Sequence, residues 1–226
     1  VPAGRFIFNS ILVTTVIVIF GLVLNSMAGF ALSRIKWPGQ RAVMLVIIAT
    51  LIVPFETIAI PLLLIVSRLP WIGFDGLVPV IEQGWLNSYH VQIIPFLANS
   101  LSIFLFVQYF KSIPAELDEA ARVDGATWFQ IYRRVIVPLS GPAIATVAIL
   151  TFLQPNVWNA YLWPLLTVQE ETYRPVMLGV AYFQQLDVAW GEIMAYLAII
   201  TVPVLAFFLS LQRVFIESIA STGVKG

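Results

Sequence analysis

The sequence predicts an all-helical integral membrane domain, and three observations carry that prediction. Of the 226 residues, 60% are hydrophobic and only 11% are charged, whereas soluble domains carry about 25% charged residues. Five apolar stretches, 8–32, 43–66, 91–110, 139–168 and 193–211, each approach or exceed the ~20 residues a helix needs to cross a ~30 Å hydrocarbon core. The charges fall between these stretches, with Glu56 the one acidic residue well inside a span.

Taken in order, span 8–32 carries Gly21, Asn25, Ser26 and Gly29 at three- and four-residue intervals. A stripe of small and polar residues at that spacing suits close helix packing. Span 43–66 contains Pro54, Glu56 and Pro61, and proline inside a helix removes a backbone hydrogen bond and kinks it. A carboxylate at membrane depth must face a cavity, a partner helix or water. Glu56 therefore reads either as a polar group near a solute pathway or as a residue reaching the interface from a kinked helix. Span 91–110 begins beside Tyr89 and the single histidine, His90, which reads as an interfacial residue. Span 139–168 is overlong and holds Pro155 and Pro164, which predicts a kink or an early exit. Its Gln154, Asn156, Trp158 and Asn159 either bond across helices or line a route for a polar solute. An aromatic ring beside amide donors is what a sugar would use. Span 193–211 closes the set.

The loops assign an orientation, because basic residues favour the cytoplasmic side. Arg34, Lys36, Arg41, Lys111, Arg122, Arg133, Arg134, Arg213 and Lys225 lie on one side and Arg5, Arg68 and Arg174 on the other, nine against three of the twelve. Residues 112–138 and the C-terminus are thereby expected in the cytoplasm. Trp71, Trp85, Trp163 and Trp190 fall near the outer interface, as aromatic belts do. Glu170, Glu171, Asp187 and Glu192 make the outer loops acidic, either as a solvated surface or as a docking surface for an extracytoplasmic protein. The chain begins at Val1 with no basic segment before its first apolar run, so the N-terminus reads as trimmed rather than as a signal peptide.

Composition also excludes functions. Zero formal net charge argues against a nucleic-acid partner. The absence of cysteine rules out disulfides and thiolate metal sites, and one histidine builds no zinc site. No G-x-x-x-x-G-K-[ST] stretch is present to cradle a nucleotide phosphate; Thr222-Gly223-Val224-Lys225-Gly226 is only superficially like one.

The richest segment is a polar island between spans. Five charges, Glu116, Asp118, Glu119, Arg122 and Asp124, fall within nine residues. Pro114 suits a first helical turn, and the acidic residues after it face the positive end of the helix dipole. Ala120 and Ala121 are good helix formers that admit a close neighbour. Gly125 supplies a left-handed C-cap, and Thr127-Trp128-Phe129-Gln130 then forms a capping box. Ile131, Tyr132 and Val135 give the second helix an apolar side, with Arg133 and Arg134 towards water or headgroups. Spacing alone fits an amphipathic connector equally well.

The wording of the segment goes further. Glu119-Ala120-Ala121, three residues, Gly125, nine residues, Val135, one residue, Val137 and Pro138 resembles the EAA loop of ABC importer permeases, where the two valines are more often Ile and Leu. The likeness runs along nearly the whole chain. It takes in Asn9-Ser10, Ala28-Gly29-Phe30-Ala31-Leu32-Ser33-Arg34, Trp37-Pro38-Gly39, Ile60-Pro61-Leu62, Ile113-Pro114-Ala115-Glu116-Leu117, Asp124-Gly125-Ala126, Trp158-Asn159, Trp163-Pro164-Leu165-Leu166 and Gly223-Val224-Lys225-Gly226. In this order they are similar to the second permease of the maltose and glycerol-phosphate type of importer. The resemblance implies a type I importer permease fold with five transmembrane helices visible of an expected six. It implies a single permease domain over 1–226 with a cytoplasmic coupling loop at 112–138. It also implies a non-enzymatic subunit that works with a second permease, two ATPase subunits and an extracytoplasmic solute-binding protein, in the cytoplasmic membrane of a bacterium or archaeon. The chain itself needs no cofactor, ATP and Mg belonging to the ATPase. By position, Glu119, Ala120, Ala121, Asp124, Gly125 and Ala126 are the ATPase-coupling residues, while Glu56, Asn156, Trp158 and Asn159 are candidates for the pathway of a sugar-like solute.

Two rivals are weaker on the residues. An ion-coupled secondary carrier usually shows internal repeats and several buried charges, and here there is no convincing repeat and only Glu56. An intramembrane enzyme needs an acid–base or metal constellation that this composition does not supply. A change of cargo within the family, to glycerol phosphate or another polar solute, stays open.

Overall fold

The computed structural model describes residues 2–75, 78–183 and 190–223. Asp187 and Lys225, named above among the loop charges, and the last residues of the terminal Gly223–Gly226 motif lie outside them.

With no proline and no charge between residues 8 and 32, helix α1 (Ala3–Arg34) runs unbroken for 32 residues, about 48 Å at 1.5 Å per residue. Arg34 sits in its last turn, where the helix dipole favours a cation. The second span is broken. Helix α2 (Gln40–Thr50) and helix α3 (Phe55–Val66) are separated by 51–54, because Pro54 adopts an extended conformation and disfavours helix at the residue before it. A hairpin follows, β1 (Pro70–Asp75) pairing antiparallel with β2 (Val78–Gln83) from Pro70↔Gln83 to Asp75↔Val78. The helical reading did not anticipate it. Asp75-Gly76 between two apolar runs is the hairpin signal the sequence offered.

Helices α4 (Tyr89–Ile93) and α5 (Ser100–Ser112) form the third span. Ser88 caps the first by accepting from the Val91 N–H, and Asn99 caps the second by accepting from the Ser102 N–H. Helix α6 (Glu116–Val123) is followed by α7 (Trp128–Ile131), which continues through a π-helical turn at Tyr132–Ile136 into α8 (Val137–Leu139). Helix α9 (Gly141–Phe152) then departs, so that the segment Trp128–Leu139 meets Gly141–Phe152 at 81°. Span 139–168 is therefore not one helix: residues 153–161 are turn, and α10 (Leu162–Thr167) begins beyond Pro155. Helices α11 (Val176–Val180) and α12 (Trp190–Gly223) complete the chain. Among the described residues three helical stretches are long and apolar enough to cross a membrane, or five if each broken pair counts as one span.

The chain forms two compact units. One comprises the chain up to Ile17 with Val53–Phe96 and Phe152–Leu205. It is centred on Val66, Val91, Trp163 and Val168, with Phe55 and Phe96 against them. Trp163 is 1% exposed, and its indole N–H donates to the Val91 carbonyl at 2.8 Å. It is a core residue rather than a member of an interfacial belt: a buried indole needs one acceptor, and the α4 backbone supplies it. Trp190, by contrast, is exposed.

The other unit comprises Val18–Ile52, Leu97–Thr151 and the chain from Ala206. Its core joins Phe30, Phe106, Phe110, Ile113, Ile131, Ile136, Ala143 and Val147. The small-residue stripe of α1 does what its spacing predicts. Asn25 donates to the Leu97 carbonyl and accepts from the Asn99 N–H. A Cβ placed on Gly29 would lie 2.6 Å from the Phe106 Cβ, so only glycine lets α1 come this close to α5.

Candidate functional site

Helix α6 opens on the Ala115 carbonyl, which accepts from the N–H groups of Asp118 and Glu119 at 3.0 and 3.1 Å. Pro114 thus precedes the N-cap instead of occupying the first turn, while Glu116, Asp118 and Glu119 hold that turn. The helix closes in a Schellman arrangement: the Gly125 N–H reaches the Arg122 carbonyl at 3.0 Å and the Ala126 N–H reaches Ala121 at 2.9 Å. Gly125 has φ +82° with open space where a Cβ would be. Its requirement is for the left-handed conformation that glycine adopts without strain, not for room. The next helix starts on the predicted capping box, Thr127 Oγ accepting from the Gln130 N–H and Gln130 Oε1 from the Thr127 N–H. Thr127→Ala is expected to lower stability by about 1 kcal/mol, read as a small drop in thermal midpoint of the detergent-solubilised protein with transport competence retained.

The six coupling candidates lie together, on α6 and its cap, but they do not face the same way. Glu119, Ala120, Asp124 and Gly125 are exposed, whereas Ala121 and Ala126 pack against the unit's own core. Val123, between them, is 88% exposed, and Leu117 and Phe129 also stand out. Exposed apolar side chains interspersed with Glu119, Arg122 and Asp124 are the composition of a protein-docking surface. Sequence reasoning missed its apolar members because it weighed the charges. A cavity of about 460 Å³ opens beside the helix, with Lys36, Glu119 and Arg122 among its lining residues. The Arg122 guanidinium lies over the Trp128 ring, 4.8 Å from its centre.

The one buried residue of α6 is Asp118. Its Oδ2 lies 3.2 Å from Arg34 at the end of α1, the side chains being 9% and 7% exposed. The same guanidinium donates to the Phe110 and Ile113 carbonyls at 2.5 and 2.6 Å, at the C-terminal end of α5, where helix carbonyls lack intrahelical partners and Phe110 otherwise has only the Ile113 N–H at 3.2 Å. Burial pushes the Asp118 carboxyl above the ordinary carboxylate range; Arg34 pulls it back and Glu119 pushes it up. No local pattern signals this pair, since 84 positions separate its members in the chain.

The pathway candidates lie in two places, Glu56 on α3 and the other three in the 153–161 turn. Glu56 is exposed in the first turn of α3, just after the break at 51–54. Trp158 is 2% exposed and stacks on Phe152 with ring centres 5.3 Å apart, so it packs within its own unit in this conformation. Asn156 borders a very small cavity together with Ser10 and Gln92, and Asn159 is exposed. All three lie in the 153–161 turn. In the same unit Asn9 and Ser10 are buried polar anchors. Asn9 donates to the Thr172 and Arg174 carbonyls, each at 2.9 Å, and accepts from the Tyr89 hydroxyl at 2.8 Å. Ser10 accepts from the Val176 N–H at 2.9 Å.

Residues 17–221 match the family described as the binding-protein-dependent transport system inner membrane component. The chain belongs to that family. Among curated members, the arabinooligosaccharides transport permease AraQ of Halalkalibacterium halodurans is 32% identical over 224 residues, covering 96% of this chain and 73% of that one. The trehalose/maltose transport permease MalG of Thermococcus litoralis is 30% identical over 96% of this chain and 74% of its own. The sn-glycerol-3-phosphate transport permease UgpE of Rhizobium meliloti is 27% identical over 98% and 74%. The fold is that of solved importer components. A chain from the crystal structure of a bacterial ABC transporter involved in alginate import superposes with TM-score 0.74 at 23% identity, over 92% of this chain and 74% of that one. A chain of the MetNI methionine transporter in an inward-facing conformation gives 0.64 at 17% identity, over 94% of each. This inner membrane component is thus a transporter permease subunit with a type I importer permease fold.

Proposed function

We propose that this chain is the permease subunit of an ATP-driven importer that takes a sugar or sugar-like solute from an extracytoplasmic binding protein and passes it inward by alternating access. The observation that carries the reading is α6: capped by backbone hydrogen bonds at its C-terminal end, it nonetheless turns Glu119, Ala120 and Val123 outward. A rigid helix with outward apolar side chains suits a cleft in another protein. That protein is an ATPase subunit, two of which hold ATP and Mg, while a second permease completes the pathway. The 112–138 loop and the C-terminus lie on the cytoplasmic side, which the distribution of basic residues supports. The relatives' names support a carbohydrate cargo; UgpE keeps a phosphorylated polyol as the second reading.

Co-expression of the chain with its neighbouring permease and ATPase tests this. The wild-type complex is expected to co-purify and to hydrolyse ATP faster when loaded binding protein is added. Val123→Asp and Glu119→Lys, both at exposed positions, are expected to leave the chain folded and weaken ATPase capture roughly 30-fold, the size of an interface hot spot. Uptake of an oligosaccharide against sn-glycerol-3-phosphate separates the two cargo readings. A chain that purifies alone and moves solute on an ion gradient, indifferent to both substitutions, would sink the proposal.

A further inference from the structure

Ser26, Phe30 and Arg34 are spaced four apart on α1 and so share one face. Each touches the 112–138 loop or its edge. The Ser26 hydroxyl is 2.7 Å from the Tyr132 hydroxyl. The Phe30 ring meets Tyr132 at 5.4 Å and Trp128 at 6.3 Å between centres. Arg34 takes the Phe110 and Ile113 carbonyls and the Asp118 carboxylate. What fastens α6 itself is narrower. Short irregular connectors join it to its neighbours at 113–115 and 124–127, Asp118 is its one buried residue, Ala121 adds a modest apolar contact, and the exposed Arg122 lies over the Trp128 ring.

A buried ion pair is a poor device for stability alone, because desolvation offsets much of the Coulomb attraction. It is a good device for fixing one element against another. A guanidinium is suited to it: its planar fork reaches a carboxylate from one nitrogen and two carbonyls from another, whereas a lysine has only one compact centre from which to donate.

We propose that Arg34 and Asp118 form a latch that makes α6 and the end of α1 move as one body, so that displacement of α6 by the ATPase reaches α1 through a side-chain link as well as through the backbone. Both are positioning residues, and the inference rests on the importer reading above. An equilibrium that two sites bias through one rigid element is what energetic coupling requires. Loosening the link spares ATP hydrolysis and wastes it.

Arg34→Ala is not the informative variant, since it strands a buried carboxylate. Asp118→Asn keeps the shape and removes the charge; Arg34→Lys keeps the charge and loses the fork. Each is to be built into the full importer complex in proteoliposomes, with loaded binding protein outside. Solute moved per ATP hydrolysed is measured alongside ATPase retention and basal hydrolysis. The latch predicts a retained complex, basal hydrolysis within a factor of about two, and solute per ATP lowered roughly tenfold, the loss of one charge-assisted hydrogen bond. An unchanged ratio in both variants overturns it. So does a complex that sheds its ATPase, or hydrolysis and transport falling in step, because a merely structural pair behaves that way. If the wild-type chain retains no ATPase, the importer reading itself fails, and that outcome is seen before any variant is made.

Discussion

Gly29→Leu is expected to prevent assembly of the Val18–Ile52 and Leu97–Thr151 unit, and Gly29→Ala to weaken it by about 1–3 kcal/mol. The reason is position. The nearest atom to an added Cβ is the Phe106 Cβ at 2.6 Å, with the Phe106 carbonyl carbon and the Val107 nitrogen both at 3.4 Å. None of these is the tip of a flexible side chain, so relief requires α1 to move off α5. Phe30 and Phe106 belong to one core cluster, and Arg34 holds the Phe110 and Ile113 carbonyls, so the strain spreads into contacts on both sides of the glycine. The thermal midpoint of the purified protein in detergent checks this, with Gly4→Ala as the control, since Gly4 has open space around it. Equal midpoints for Gly29→Ala and Gly4→Ala would refute the close-packing account.

Asn9→Leu is expected to be the most damaging change in the other unit. It removes one acceptor and two donors at a residue with no exposure, leaving the Arg174 carbonyl and the Tyr89 hydroxyl to be satisfied elsewhere, while the Thr172 carbonyl keeps only the Arg5 guanidinium at 3.1 Å. At about 1–3 kcal/mol for each buried group left unpaired, a loss of several kcal/mol is of the size that unfolds a marginal domain. Limited proteolysis around residues 169–175 reads the effect locally. Accelerated cleavage there, ahead of the rest of the chain, is the expected result; a wild-type cleavage pattern would show that the asparagine merely fills space. Asn9→Asp is a useful companion, because it keeps an acceptor for Tyr89 and loses both donors.

What the sequence made legible were features whose causes are local. The break before Pro54, the glycine C-cap and the Thr127–Gln130 capping box are decided by neighbours a few residues away, and the structure bears these out, whereas Pro61 stays inside α3. The close-packing stripe on α1 was legible for the same reason, being a spacing along one helix. Apart from the hairpin, whose Asp75-Gly76 signal is local, what stayed hidden depends on residues far apart. Arg34 reads as a loop charge until Asp118 is beside it, and Asn9 reads as a motif letter until the 172–174 backbone closes over it. Trp163 illustrates the opposite error: an aromatic near a span end fits an interfacial belt by position, and only tertiary packing shows it to be core. The direction of side chains on α6 was likewise not in the pattern. Ala120 and Ala121 are adjacent letters of one motif, yet one faces out and the other inward.

The hydrogen bonds of Asn9 also set a schedule. The Thr172 carbonyl that pairs with its amide lies 163 residues further along, so at 5–20 residues per second the ribosome takes roughly 8 to 30 seconds to deliver it. Through that interval the nascent first helix carries a polar side chain without its final acceptors. Docking of 169–176 onto Asn9 and Ser10 therefore waits until most of the chain has been made.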